Sequence, residues 1–135
     1  MQIKILTILS LFILLLSACT PSNPLDGTAW VLTHLNDQPV LTTTQVLLNF
    51  EADQLSGTDG CNLIGGAVAV SASDFVISEG LMTTEMACEP AIMEQASAYT
   101  SALMQARSYS WEDTQLTLLD EAGNPLAVFA AQPAD

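Results

Sequence analysis

Basic side chains are nearly missing from this sequence: lysine and arginine together number 2 against 15 aspartates and glutamates in 135 residues. Lys4 lies in a stretch that reads as a removable leader, so the remainder sets one cation, Arg107, against those 15 acids, a side-chain charge of −14. Such a surface repels nucleic acid and anionic lipid headgroups, and it has no cations with which to clamp phosphate groups. Histidine is equally scarce. His34 is the only one, and no Cys-x-x-Cys spacing accompanies it, so a zinc site is not expected. As the sole candidate base of the usual kind, His34 has no Gly-x-Ser-x-Gly elbow to serve, and its alternation with Trp30 and Leu32 makes it a strand-end residue at the core margin. Dinucleotide and Walker glycine loops are absent, which argues against an organic cofactor. The acidic neighbours Glu112-Asp113 and Asp120-Glu121 would point apart on a strand and read as solvated turns. No catalytic residue, cofactor or metal is therefore expected. Charged residues make up 13% and hydrophobic ones 50%, a balance too apolar for disorder and suited to one packed domain.

What is present begins with a short positive start, Met1 to Lys4, and an apolar run from Ile5 to Leu16 broken only by Thr7 and Ser10. As a helix this run is about 18 Å long against a hydrocarbon core of roughly 30 Å, too short for a stable span. It reads as a secretion signal over residues 1–18. Leu16-Ser17-Ala18-Cys19 resembles a bacterial lipobox, which makes Cys19 the lipid-attachment residue and the first residue of the mature chain. The competing reading is an ordinary signal with a chance cysteine at its end. Thr20 stands where an aspartate would suggest inner-membrane retention, so in a Gram-negative cell the expectation is the periplasmic face of the outer membrane. Residues 19–25, with Pro21 and Pro24, read as a lipidated tether to that membrane, 26–131 as the domain and 132–135 as a tail.

Within the domain, short alternating segments punctuated by Gly, Asn and Asp predict a small antiparallel β protein. Strands are expected over 28–35, with Trp30, Leu32 and His34 on one face, around Val46, Leu48 and Phe50, and over 55–59, 67–71, 75–78 and 81–87. Three more follow at 108–112, 115–119 and 126–130, the last two joined by a hairpin turn at Asp120 to Asn124. From Glu89-Pro90 to Gln105 glycine is absent and Ile92, Ala96, Tyr99 and Leu103 recur at helical spacing. This predicts one amphipathic helix with Glu89 and Glu94 near its start and Arg107 just past its end, packed over the open side of a curled sheet. Met82, Met86, Met93 and Met104 are expected to fill the core.

With Cys19 taken by lipid, Cys61 and Cys88 remain, an even number in an oxidising compartment. A disulfide between them is expected; the alternative is two buried thiols. They sit in two motifs, Gly57-Thr58-Asp59-Gly60-Cys61-Asn62 with Gly65-Gly66 behind it, and Met82 to Ala87-Cys88. Together with Gly27, Thr28, Trp30 and Leu32, with Leu48-Asn49-Phe50 and with Leu116-Thr117-Leu118, these resemble the META domain of HslJ-type heat-shock lipoproteins. The family motif falls here on Gly60, Cys61, Asn62, Gly65, Ala87 and Cys88. The resemblance implies an α+β, mainly β fold: a small antiparallel cracked barrel of about eight strands with one packed helix. It further implies an envelope location, a link to heat stress and antibiotic tolerance, and no established enzyme activity. Glu85 stands where that pattern often carries a basic residue, which removes an anionic partner at this position.

Gly57, Gly60, Gly65 and Gly66 read as a structural corner rather than a binding loop, and Asp53, Ser56, Asp59 and Gly60 resemble an oxygen-rich cation loop without EF-hand spacing. The functional expectation is a monomeric, non-enzymatic module that binds an unknown envelope protein or small ligand. The rival reading is a pilotin-like assembly factor holding an apolar peptide of a secretion system, which needs an accessible apolar groove instead of a filled barrel.

Overall fold

The computed structural model describes residues 22–133; the leader, Cys19 and the last two residues lie outside the described residues. Its elements in chain order are β1 (Ala29–Leu35), β2 (Gln38–Pro39), β3 (Leu47–Glu51), β4 (Gln54–Thr58), β5 (Leu63–Ala67), β6 (Ala69–Val70), β7 (Phe75–Val76), β8 (Met82–Thr83), α1 (Pro90–Gln105), β9 (Ser108–Glu112), β10 (Gln115–Leu119) and β11 (Pro125–Ala131). All pairings are antiparallel. One sheet runs β8-β5-β4-β3-β1-β11-β10-β9, β2 pairs with β1, and β6–β7 form a separate ribbon. The end strands β8 and β9 do not pair with each other, so the curled sheet stays open as a cracked barrel. The β6–β7 ribbon closes part of the β9 edge: Phe75 N–H donates to the Arg107 carbonyl and Tyr109 N–H to the Ser73 carbonyl, both at 3.0 Å.

Period-two alternation supplies the core. Trp30, Leu32, Leu48, Phe50, Leu55, Ile64, Leu116, Leu118, Ala127 and Phe129 all point inward and are buried. Helix α1 packs on β1 and β11, sending Ala96, Tyr99, Ala102 and Leu103 inward. The Tyr99 and Phe129 rings meet edge to face, 6.2 Å apart. Pro90 opens the helix, where its missing N–H costs nothing. Of the expected stripe, Ala96, Tyr99 and Leu103 are buried and Ile92, in the first turn, is half-buried. The dipole arrangement is also corrected. Glu89 is the N-cap without a capping hydrogen bond and the first turn has no acid, whereas Arg107 Nη1 donates to the carbonyls of Met104 (2.9 Å) and Ala106 (2.7 Å) at the other end.

Other expectations are overturned. A β-bulge between Leu32 and His34 inserts a residue into β1, so Leu35 turns into the core and His34 faces solvent. Gly65 and Gly66, read from sequence as part of a structural corner, lie inside strand β5, while the strand expected over 67–71 shrinks to the two residues of β6. Val68 N–H continues the β4–β5 register for one more pair by donating to the Asp53 carbonyl, and the chain then turns into the separate β6–β7 ribbon. The four methionines do not fill the core: Met82 is 78% and Met86 60% exposed, and Met93 and Met104 are exposed on α1. The domain also begins earlier than its sequence boundary. Leu25 is fully buried, its N–H bonded to Asn23 Oδ1, and Asn23 Nδ2 donates to the Ala52 carbonyl at 2.6 Å.

Candidate functional site

The residues richest in polar chemistry gather where the β4–β5 turn meets the segment before α1. Asp59 is only 4% exposed, and its Oδ1 accepts the N–H groups of Cys61 (2.8 Å) and Asn62 (2.5 Å). Gly60, at φ +94°, lets the chain reverse there, and Thr44 Oγ1 donates to its carbonyl. Asn62 then reaches across. Its Oδ1 accepts Thr84 Oγ1 (2.9 Å) and Met86 N–H (2.6 Å), while Leu63 N–H donates to Thr84 Oγ1 (3.0 Å). Cys61 and Cys88 form a disulfide with Cα atoms 5.9 Å apart, closing a sequence separation of 27. In the chain-entropy model a loop of that size contributes about 3.6 kcal/mol.

Two motifs more than 20 residues apart in sequence are thereby clamped into one corner by a covalent bond and the Asn62 hydrogen bonds. Gly60, Cys61, Asn62 and Cys88 belong to this corner; Ala87 lies on the exposed segment it holds, and Gly65 stands in β5 beside Met82. The oxygen-rich loop does not assemble. Asp53 precedes β4 and Asp59 follows it, at opposite ends of the strand. His34 faces solvent with Nδ1 3.2 Å from Thr33 Oγ1. Glu112 ends β9 and Asp113 follows it in the exposed β9–β10 turn, and Asp120 caps its own turn by accepting from Asn124 and Ala122, whose hydrogen bonds hold its carboxyl below the usual range.

Sequence reading missed the burial of Asp59 and its relation to Tyr99. The Tyr99 hydroxyl has no hydrogen-bond partner among the described residues; burial, and then the negative charge of Asp59, push its ionisation far upward. The available signal was Asp59 two residues before Cys61, the spacing at which a carboxylate accepts backbone N–H groups in a turn. Beside Asp59 lies a pocket of about 190 Å³ whose walls include Cys61, Asn62, Thr83, Met93 and Thr100. A second hollow of about 520 Å³, walled by Gly80, Leu81, Ser101 and Met104, shares Thr83, Ser97 and Thr100 with it. The two form one crack between α1 and β8.

The family model described as META domain matches residues 23–133. The chain belongs to the META domain family. The match begins at Asn23, where the fold begins, and runs two residues past the end of β11. The META fold recurs in an NMR structure of a protein from Burkholderia xenovorans: TM-score 0.67, 24% identity, covering 84% of this chain and 91% of that one. A second NMR structure is similar at TM-score 0.61 and 25% identity over 77% of this chain and 89% of that one. No curated protein matches. The META corner of Gly60, Cys61, Asn62 and Cys88 is thus a structural clamp whose outer surface borders the crack.

Proposed function

We propose that this META protein is a non-enzymatic lipoprotein of the bacterial cell envelope, anchored through Cys19 to the periplasmic face of the outer membrane, where it serves heat or antibiotic tolerance as a binding or structural module. The observation that carries this reading is the filled interior. Trp30, Phe50, Phe75, Tyr99, Leu103 and Phe129 occupy the space inside the sheet, leaving binding to the outer surface. His34, the one candidate base, stands outside that interior.

Mass spectrometry of the full chain exported from a bacterial host is expected to find cleavage before Cys19 and an acylated cysteine. A free Thr20 terminus, or full solubility without detergent, contradicts the anchor. In a deletion strain, His34→Gln should restore stress tolerance as well as the wild type; a folded variant that fails to do so contradicts the non-enzymatic reading. The exposed apolar side chains of Leu63, Met82 and Met86 favour a second reading, a pilotin-like factor that carries an apolar peptide. Loss of a crosslinked secretion component on Met82→Asp, with the fold intact, would favour that reading.

A further inference from the structure

Strand β8 ends the sheet, and its backbone is only half used. Met82 pairs with Gly65 and Thr83 with Ile64, and Thr84 N–H donates to the Leu63 carbonyl. Hydrogen-bonded and non-bonded pairs alternate in an antiparallel ladder, so the N–H and C=O of Thr83 are directed off the free side of β8. Thr83 lines both hollows of the crack. Natural sheet edges are usually blunted by lysine, proline or a bulge, and Leu81 to Thr84 supply neither lysine nor proline.

Next to that edge sits a carboxylate with acceptor capacity to spare. Asp59 Oδ1 is used by two backbone amides, but Oδ2 takes no hydrogen bond among the described residues, and Asp59 lines the smaller pocket with Asn62, Thr83, Ser97 and Thr100. A buried carboxylate beside such a pocket calls for a charge-assisted N–H donor. At about 190 Å³ the Asp59 end of the crack admits one cationic side-chain head. The surroundings agree in sign. Glu79, Glu85 and Glu89, all exposed, adjoin the segments that border the crack, and the mature chain has no cation besides Arg107.

We propose that the crack between α1 and β8 docks an extended, basic peptide segment of a partner protein, which adds as a strand along β8 while one lysine or arginine side chain enters the Asp59 pocket. Main-chain bonds to Thr83 supply affinity, the cation in the pocket supplies register, and the side chains that alternate with it meet the exposed Met82 on β8. The inference deepens the binding-module reading and rests on it.

The test uses the full chain in detergent and a fluorescein-labelled peptide of alternating valine and threonine with one central lysine, followed by anisotropy. The lysine peptide should bind, and its norleucine counterpart at least about tenfold more weakly. Asp59→Asn keeps an acceptor oxygen for Cys61 and Asn62 but removes the charge, and should bring the lysine peptide down to the norleucine level. Thr83→Pro removes the outward N–H without touching a bond to β5, and should weaken binding by a similar factor. Absence of binding, equal binding of the two peptides, or wild-type affinity in either folded variant overturns the proposal. So does displacement of the peptide by butylammonium at the peptide's own concentration, which would mark a small-amine site. If Asp59→Asn fails to fold by circular dichroism, the peptide pair on wild type and the Thr83→Pro variant decide. Failure here leaves the Cys19 and complementation tests of the envelope reading standing.

Discussion

Gly57 and Gly65 stand in the same glycine-rich stretch but answer to different constraints. A Cβ on Gly57 would lie 1.9 Å from the Leu47 carbonyl oxygen, so alanine there forces β3 and β4 apart; at Gly65 the nearest atom is the Leu55 oxygen at 3.6 Å, an ordinary contact. Gly57→Ala is expected to cost about 3 kcal/mol and Gly65→Ala less than about 1 kcal/mol in denaturant unfolding. Equal losses would mean that the approach of Leu47 is not what requires glycine at 57. Tyr99 offers a second contrast, because its buried hydroxyl bonds to nothing among the described residues. Tyr99→Phe should therefore stabilise the protein at neutral pH by about 1 kcal/mol. The ionisation of Tyr99 is raised from 10.0 by burial and then by Asp59, and that of Tyr109 by burial alone. The fold disfavours ionisation of both phenols, Tyr99 far more than Tyr109, so the stability tied to their neutral form is intact below pH 10 and lost as the unfolded chain ionises above it. The alkaline unfolding midpoint should rise in Tyr99→Phe; an unchanged midpoint would show that Tyr99 does not govern it.

Among the elements, α1 and the β10–β11 hairpin were the most legible. Helical spacing, Pro90 and the absence of glycine placed the helix to within a residue, because its buried stripe lies within one continuous segment. Its two ends differ in depth, however. Leu103 is fully buried against the sheet while Ile92 is half-buried. Leu103→Asp should unfold the domain, costing more than about 4 kcal/mol, whereas Ile92→Asp should cost about 1–2 kcal/mol and leave a cooperative thermal transition. Similar collapse in both would place Ile92 in the core. Strand β1 was legible in position but not in facing. Alternation alone assigns His34 inward, and a single-residue bulge reverses every side chain after it.

At the scale of the whole molecule, excess negative charge has little internal compensation. Arg107 spends its Nη1 hydrogen bonds on the backbone carbonyls of Met104 and Ala106. Self-repulsion should then be strongest at low ionic strength, where the Debye length is about 30 Å, and weaken near 0.15 M, where it is about 8 Å. Thermal unfolding of the full chain is expected to shift upward by about 2–5 °C between those conditions. A downward shift would mean that attractive ion pairs outweigh the repulsion.

Sequence by itself determined the mainly β class, the helix and the hairpin at Asp120, since each rests on local periodicity or turn chemistry. Tertiary structure alone decided the facing of His34, the existence of β5, the exposure of the methionines and the burial of Asp59. The reason is physical. A repeat of two or 3.6 residues states which side chains share a face, but the identity of the inward face depends on register and on partners distant in sequence. Asn62 and Met86, 24 residues apart, become neighbours only once β5 and β8 pair, and the crack between β8 and α1 exists only after they do.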